Sequence, residues 1–168
     1  HCRTAGNRKS RPFSAKSVKA VNGITYTLNE GETLAIVGES GCGKSVGVMS
    51  LLRLIPEPPG KVTAGEAIFA GRDLLKMDKE AIRQVRGKEI AMVFQDPESQ
   101  MVAETVEDEV AFGMENLGLT RSAMRKRVEE VLDLLRIAPL RERRVDTLSG
   151  GELQRVAIAA VLAMQPRI

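Results

Sequence analysis

At 168 residues, with 43% hydrophobic and 28% charged side chains, the chain has the size and balance of one α/β domain able to bury a core. Aromatic residues at 3%, without a single Trp, exclude a base-stacking nucleic-acid platform, and a net charge of +3 is too small to imply a polyanionic partner. The longest apolar run, Val156 to Met164, is too short to span a bilayer, so any membrane association has to come through a partner protein.

The chain opens with a basic arm, residues 1–12, in which Arg3, Arg8, Lys9 and Arg11 stand without an acid; this reads as a solvated segment. It begins on His rather than Met and carries no signal-peptide pattern, which points to a start lying upstream. Cys2 and Cys42 give neither a disulfide framework nor a metal spacing, and they suit a reducing cytoplasmic compartment.

Ile24–Leu28 alternates apolar and polar residues as a half-buried strand does, and Asn29-Glu30-Gly31 turns it into a second apolar run, Thr33–Val37. That run has the character of a buried parallel strand. It feeds Gly38-Glu39-Ser40-Gly41-Cys42-Gly43-Lys44-Ser45, the G-x-x-x-x-G-K-[ST] phosphate loop, and a helix-capable stretch from Val46 to Leu54 follows. Strand, glycine turn and helix start together aim several backbone N–H groups at one spot, which binds the phosphates of a nucleotide. Lys44 would reach the β- and γ-phosphates, and the Ser45 hydroxyl would ligate Mg²⁺.

Pro56, Pro58, Pro59 and Gly60 end the first helix. Ala67–Phe69 reads as a short strand before a Gly-Arg-Asp turn, Lys79–Arg86 as a helix, and Glu89–Phe94 as another buried strand, ending at Gln95. From Pro97 onward the chain turns helical, with expected helices over Thr105–Leu117 and Arg121–Ile137. In the second of these Met124, Val128, Val131, Leu132 and Leu135 form one apolar stripe, while Arg125, Lys126, Glu129 and Glu130 form a solvated face. The last helix runs from about Gly150 to Met164 and stops at Pro166. It opens with Leu148-Ser149-Gly150-Gly151-Glu152, where Ser149 and Glu152 are spaced as a capping box and two glycines leave the first N–H groups uncovered. Alone this is a well-capped helix; with a phosphate loop upstream it reads as a second anion site.

Phosphate loop, strand ending in Gln95, helical insert and Leu-Ser-Gly-Gly-Glu, in that order, resemble the ATP-binding cassette family from about Phe13 to the end. The resemblance implies a P-loop NTPase of α/β class with a RecA-like parallel core, an antiparallel β subdomain and a helical subdomain. It divides the chain into the arm (1–12), β subdomain and core (13–96), helical subdomain (97–148) and signature helix (149–168). It implies ATP and Mg²⁺ as ligands, held by Gly38, Glu39, Ser40, Gly41, Cys42, Gly43, Lys44, Ser45 and Val46, with Phe13 stacked on adenine. Lys44 and Gln95 would be the catalytic residues, and Ser45 and Gln95 the metal contacts. Ser149, Gly150, Gly151 and Glu152 would face the γ-phosphate held by a second cassette, copy or paralogue, in a head-to-tail dimer.

An integral membrane permease would be the other partner, placing the protein peripherally on the cytoplasmic face of the membrane, with no nucleic acid involved. Residues Val18–Pro97 are similar to dipeptide and oligopeptide importer ATPases, whereas Glu98–Gly118 are similar to energy-coupling-factor ATPases for cobalt, nickel or vitamin uptake. A non-transport cassette acting on DNA or ribosomes, or a non-catalytic nucleotide-binding module, are the alternatives. The family's Asp-Glu strand and switch His are expected beyond Ile168, so this stretch by itself is expected to show little ATPase activity.

Overall fold

The computed structural model describes residues 18–168, and Phe13, Cys2 and the basic arm lie outside the described residues. The chain divides into two compact units, His1–Ala67 and Ile68–Ile168. In the first unit the one regular element is helix α1, Lys44–Leu51, among the described residues. The expected strands over 24–28 and 33–37 run without regular pairing, and the apolar side chains on them stand open: Ile24 is 57% exposed and Val37 91%. A parallel strand is held by neighbours on both edges and layers on both faces. Among the described residues no ladder reaches these two runs, so their apolar pattern has nothing to pair against.

The second unit contains a two-stranded antiparallel sheet, β1 (Ile68–Phe69) with β2 (Arg72–Asp73), in the register Ile68 to Asp73 and Phe69 to Arg72. Helix α2, Lys79–Val85, is capped by Asp78, whose carboxylate accepts from the Ala81 N–H at 2.7 Å. The expected strand over 89–94 is realised only at its start. Ile168 N–H donates to Glu89 C=O at 3.0 Å and Ala91 N–H donates to Ile168 C=O at 2.8 Å, the bonding pattern of a parallel pair.

Three helices build the core of this unit: α3 (Val106–Asn116), α4 (Arg121–Leu134) and α5 (Gly150–Met164). Helix α3 starts at Thr105, whose hydroxyl accepts from Asp108 N–H, and Glu107, Asp108 and Glu109 in its first turn complement the helix dipole. Its Val106, Val110 and Met114 recur every fourth residue and are fully buried against Val128, Val131 and Leu132 of α4 and Val156, Ala159 and Ala163 of α5. The α4 stripe read from the sequence is the buried face, with Met124 and Leu135 at its margins, and Arg125, Lys126, Glu129 and Glu130 face water. Small residues set the approach of α3 to α5: a Cβ on Gly113 would come within 2.5 Å of Met164 Sδ.

The connection from α4 to α5 is stitched to the entry of α3. Val106 N–H donates to Arg143 C=O, Glu107 N–H to Arg141 C=O and Val145 N–H to Glu104 C=O, at 3.1, 3.0 and 3.0 Å. Arg141 adds a two-pronged pair to Glu107, Nε to Oε2 at 2.8 Å and Nη2 to Oε1 at 2.6 Å. This pairing fixes the residues immediately before the α5 start.

Candidate functional site: two helix starts

Gly43 is the residue before α1, with φ 92° and ψ 7°, a left-handed conformation that a side chain would strain. A Cβ there would also collide with the backbone oxygen of Ala20. Glycine is thus required twice over, and it leaves α1 with no side-chain cap. The first bond of the helix is Gly47 N–H to Gly43 C=O at 2.8 Å. By helix geometry the N–H groups of Gly43, Lys44, Ser45 and Val46 precede that bond and have no intrahelical acceptor.

Over this start the loop closes through a turn in which Cys42 N–H donates to Glu39 C=O at 3.3 Å. Lys44 curls back onto the same loop: its ammonium donates to Gly38 C=O at 2.5 Å and Glu39 C=O at 2.6 Å and lies 3.5 Å from Cys42 Sγ. The Cys42 thiol and the Ser45 hydroxyl are exposed beside it. Donor amides, a helix start and the Lys44 ammonium converge here, and the ammonium's oxygen partners are neutral carbonyls. Such an arrangement suits an anion.

The second helix start is built differently. The Glu152 carboxylate reaches back to Ser149, and its Oε2 accepts from the Ser149 N–H at 2.8 Å and from the Ser149 hydroxyl at 2.7 Å. These bonds, backed by the positive charges of Arg143 and Arg155, hold the Glu152 carboxyl below its ordinary pKa. Gly150 and Gly151 follow at the first two helical positions, and a Cβ on either would meet no atom within 4 Å. Nothing in the chain's own packing therefore demands glycine at these places.

Gln95 is exposed in a bend at the end of residues 91–94, ahead of the short 3₁₀ turn Glu98–Gln100. The set Gly38–Val46 thus belongs to the first unit, and Gln95 and Ser149–Glu152 to the second. Among the described residues no cluster of three His, Cys, Asp or Glu could hold a metal ion. The Ser45 hydroxyl is an oxygen donor of the kind that Mg²⁺ takes together with phosphate oxygens.

Two groups escaped the sequence reading. Glu109 is a buried carboxylate, 6% exposed, whose Oε2 accepts from the N–H groups of Val102 and Ala103, both at 2.8 Å. It fixes the segment between the 3₁₀ turn and α3. Its signal was an acid one residue before a core valine. The other is Arg143, whose backbone is held by the stitching to α3 and whose guanidinium reaches Thr147 and Glu152. Its signal was the density of arginines, three of them at 141, 143 and 144, directly ahead of the α5 start.

Glycine-capped phosphate loop, small antiparallel sheet and three-helix unit define a P-loop nucleotide-binding cassette. The family model described as ABC transporter matches residues 21–168, and the chain belongs to the ABC transporter family. It is 43% identical over 160 residues to the oligopeptide transport ATP-binding protein OppD of Bacillus subtilis, covering 90% of this chain and 44% of that protein. To the energy-coupling factor transporter ATP-binding protein EcfA1 of Streptococcus pneumoniae it is 43% identical over 148 residues, 88% of this chain and 50% of that protein. Among solved structures, the dimeric post-hydrolysis state of the ATP-binding cassette MJ0796 bound to ADP and Pi superposes with a TM-score of 0.75. That match has 28% identity and covers 88% of this chain and 62% of that one. The chain spans about half the length of these curated relatives. No helix among the described residues is long and apolar enough to cross a membrane.

Proposed function

We propose that the chain is the nucleotide-gripping part of an ATPase subunit that energises a membrane importer by binding and hydrolysing ATP. The observation that carries this is the uncapped start of α1, where glycine is forced at position 43 and the Lys44 ammonium rests on neutral carbonyls. The triphosphate takes the N–H groups of Gly43–Val46, and Lys44 exchanges its carbonyl partners for β- and γ-phosphate oxygens. Ser45 and Gln95 are the residues that the family resemblance implies would hold Mg²⁺, which would neutralise charge on the phosphates. A second cassette, arranged head to tail, presents its own Ser149, Gly150 and Gly151 to the γ-phosphate. The openness of both glycines fits an approach by another body. Phe13 would stack on the adenine.

The permease partner would dock through Gln95 and residues 97–119, holding the subunit on the cytoplasmic face of the membrane. The transported material is a peptide, the direction in which the name of the relative OppD points, or a metal or vitamin, the cargo that the resemblance of residues 98–118 implies.

Purified intact subunit should retain radiolabelled ATP in the presence of magnesium, and Lys44→Ala should weaken that retention at least about tenfold. An integral membrane protein should copurify with it from detergent extracts. ATP affinity unchanged by Lys44→Ala would overturn the reading of the loop. Hydrolysis stimulated by DNA or ribosomes, with no membrane protein bound, would replace the importer by a non-transport cassette.

A further inference from the structure

Resting on the reading of Ser149 as a phosphate contact for the opposite cassette, we infer that Arg143 is a positioning residue. It sets how readily Glu152 surrenders Ser149 to that phosphate. The two Ser149 donors that a phosphate would need, backbone N–H and hydroxyl, are both engaged by Glu152 Oε2. An internal carboxylate on a helix start competes with an incoming anion twice: it occupies the donors and it repels the charge.

Arg143 stands on the other side of that carboxylate. Its Nη1 lies 4.0 Å from Glu152 Oε1, and its Nη2 donates to Thr147 C=O at 2.8 Å and lies 3.3 Å from Thr147 Oγ1. The backbone of Arg143 is pinned in both directions, N–H to Leu140 C=O at 2.8 Å and C=O accepting from Val106 N–H at 3.1 Å. The guanidinium, part-exposed, is held through Nη2 by Thr147, with Nη1 toward Glu152. When Ser149 turns to a phosphate, Glu152 loses two donors and needs a positive partner, and Arg143 is in place to take it. Arg155 adds positive charge from the helix itself, whereas Arg143 joins Glu152 to the segment stitched onto α3.

The test uses the intact ATPase subunit as wild type, Arg143→Gln, Glu152→Gln and the double variant. Two readouts are taken: binding of a fluorescent ADP analogue, which needs only the phosphate loop, and the ATP concentration giving half-maximal dimer by light scattering. Arg143→Gln should raise that ATP concentration about two- to fivefold, the span of a part-exposed charge pair, with ADP-analogue binding unchanged. Arg143→Lys, which keeps the charge, should recover most of the loss. Glu152→Gln should lower the concentration, and the double variant should behave like Glu152→Gln alone, because without the carboxylate charge Arg143 has nothing to draw.

An equal shift from Arg143→Gln in both backgrounds overturns the inference, as does a shift in ADP-analogue binding of the same size. If wild type binds the ADP analogue but shows no ATP-driven dimer, the proposed role of Ser149 fails and takes this inference with it. Dimerisation that is intact yet indifferent to Arg143 refutes the positioning role alone.

Discussion

Replacing Gly150 or Gly151 by alanine should make the protein more stable and less active at once. Both residues sit at the first two positions of α5, in helical conformation, and a Cβ on either meets nothing within 4 Å. Glycine costs a helix roughly 0.5–1 kcal/mol relative to alanine, chiefly through the larger entropy it loses on folding. Each substitution should therefore stabilise by about 0.5–1 kcal/mol, a rise in Tm of about 1–4 °C for a domain of this size. A methyl group on the phosphate-facing side would hold an incoming cassette off by about the width of the added carbon. Displacements of ~1 Å at a reacting group lower turnover by about 10²-fold. The assay pairs thermal unfolding of the intact subunit with steady-state ATP hydrolysis. A lower Tm would mean that the glycines serve this chain's own packing. Turnover within a factor of about two of wild type would mean that no second body approaches there.

Lys44→Ala should weaken ATP binding by about 10- to 150-fold, the value of a charge-assisted contact of ~1.5–3 kcal/mol, measured by equilibrium dialysis. Glu109→Ala removes a buried acceptor from two N–H groups and should destabilise by about 2–3 kcal/mol in urea unfolding, whereas Glu109→Gln, which keeps an oxygen, should cost about half as much; a loss under ~0.5 kcal/mol for the alanine variant would contradict the clamp. The Arg141 guanidinium donates to Glu107 and holds its carboxyl below the ordinary value of 4.5. Its stabilising effect is therefore fully present above about pH 4.5 and lost as pH falls through the lowered folded value. Glu107 is 40% exposed, so solvent screens the pair to about 0.5 kcal/mol. Urea unfolding from about pH 6 to pH 3 should show a shallower acid limb for Arg141→Met than for wild type, and identical limbs would remove Glu107 from the account.

Of the five α-helices among the described residues, four carry a polar residue at the start (Asp78, Thr105, Thr120 and Ser149), α1 follows a glycine, and fourfold apolar spacing marks the buried face of α3. Their observed bounds fall within about three residues of those expected, as fraying ends do. The strands were legible only as apolar runs. Whether Thr33–Val37 or Glu89–Phe94 enters a ladder depends on partners elsewhere in the chain; among the described residues Glu89–Ala91 finds them in Ile168 and, through an isolated bridge at Ile90, in Arg86, and Thr33–Val37 finds none. The glycine at position 43 was readable in the loop motif, and its left-handed φ of 92° gives the local reason for it. Arg143 and Glu109 were not readable: the first acts through a pairing between residues 104–107 and 141–145, and the second through bonds to a loop that has no pattern of its own.

The two helix starts differ in a way that orders the events between them. At α1 a phosphate would displace neutral carbonyls from Lys44 and would find backbone donors without intrahelical partners, so neither a charge nor a cap would have to be expelled. At α5, on the proposed reading, a phosphate held by the opposite cassette would have to take two donors away from a carboxylate. Nucleotide would therefore settle on the first start at concentrations too low to engage the second, and closure would wait until the triphosphate is already held. A bound diphosphate would lack the group that competes with Glu152, so it would leave the second start latched. That difference is what would let the cassette tell ATP from ADP. Glu152→Gln should then narrow the gap between the concentration that fills the loop and the concentration that closes the dimer, and a gap unchanged by that substitution would show that the latch does not set the order.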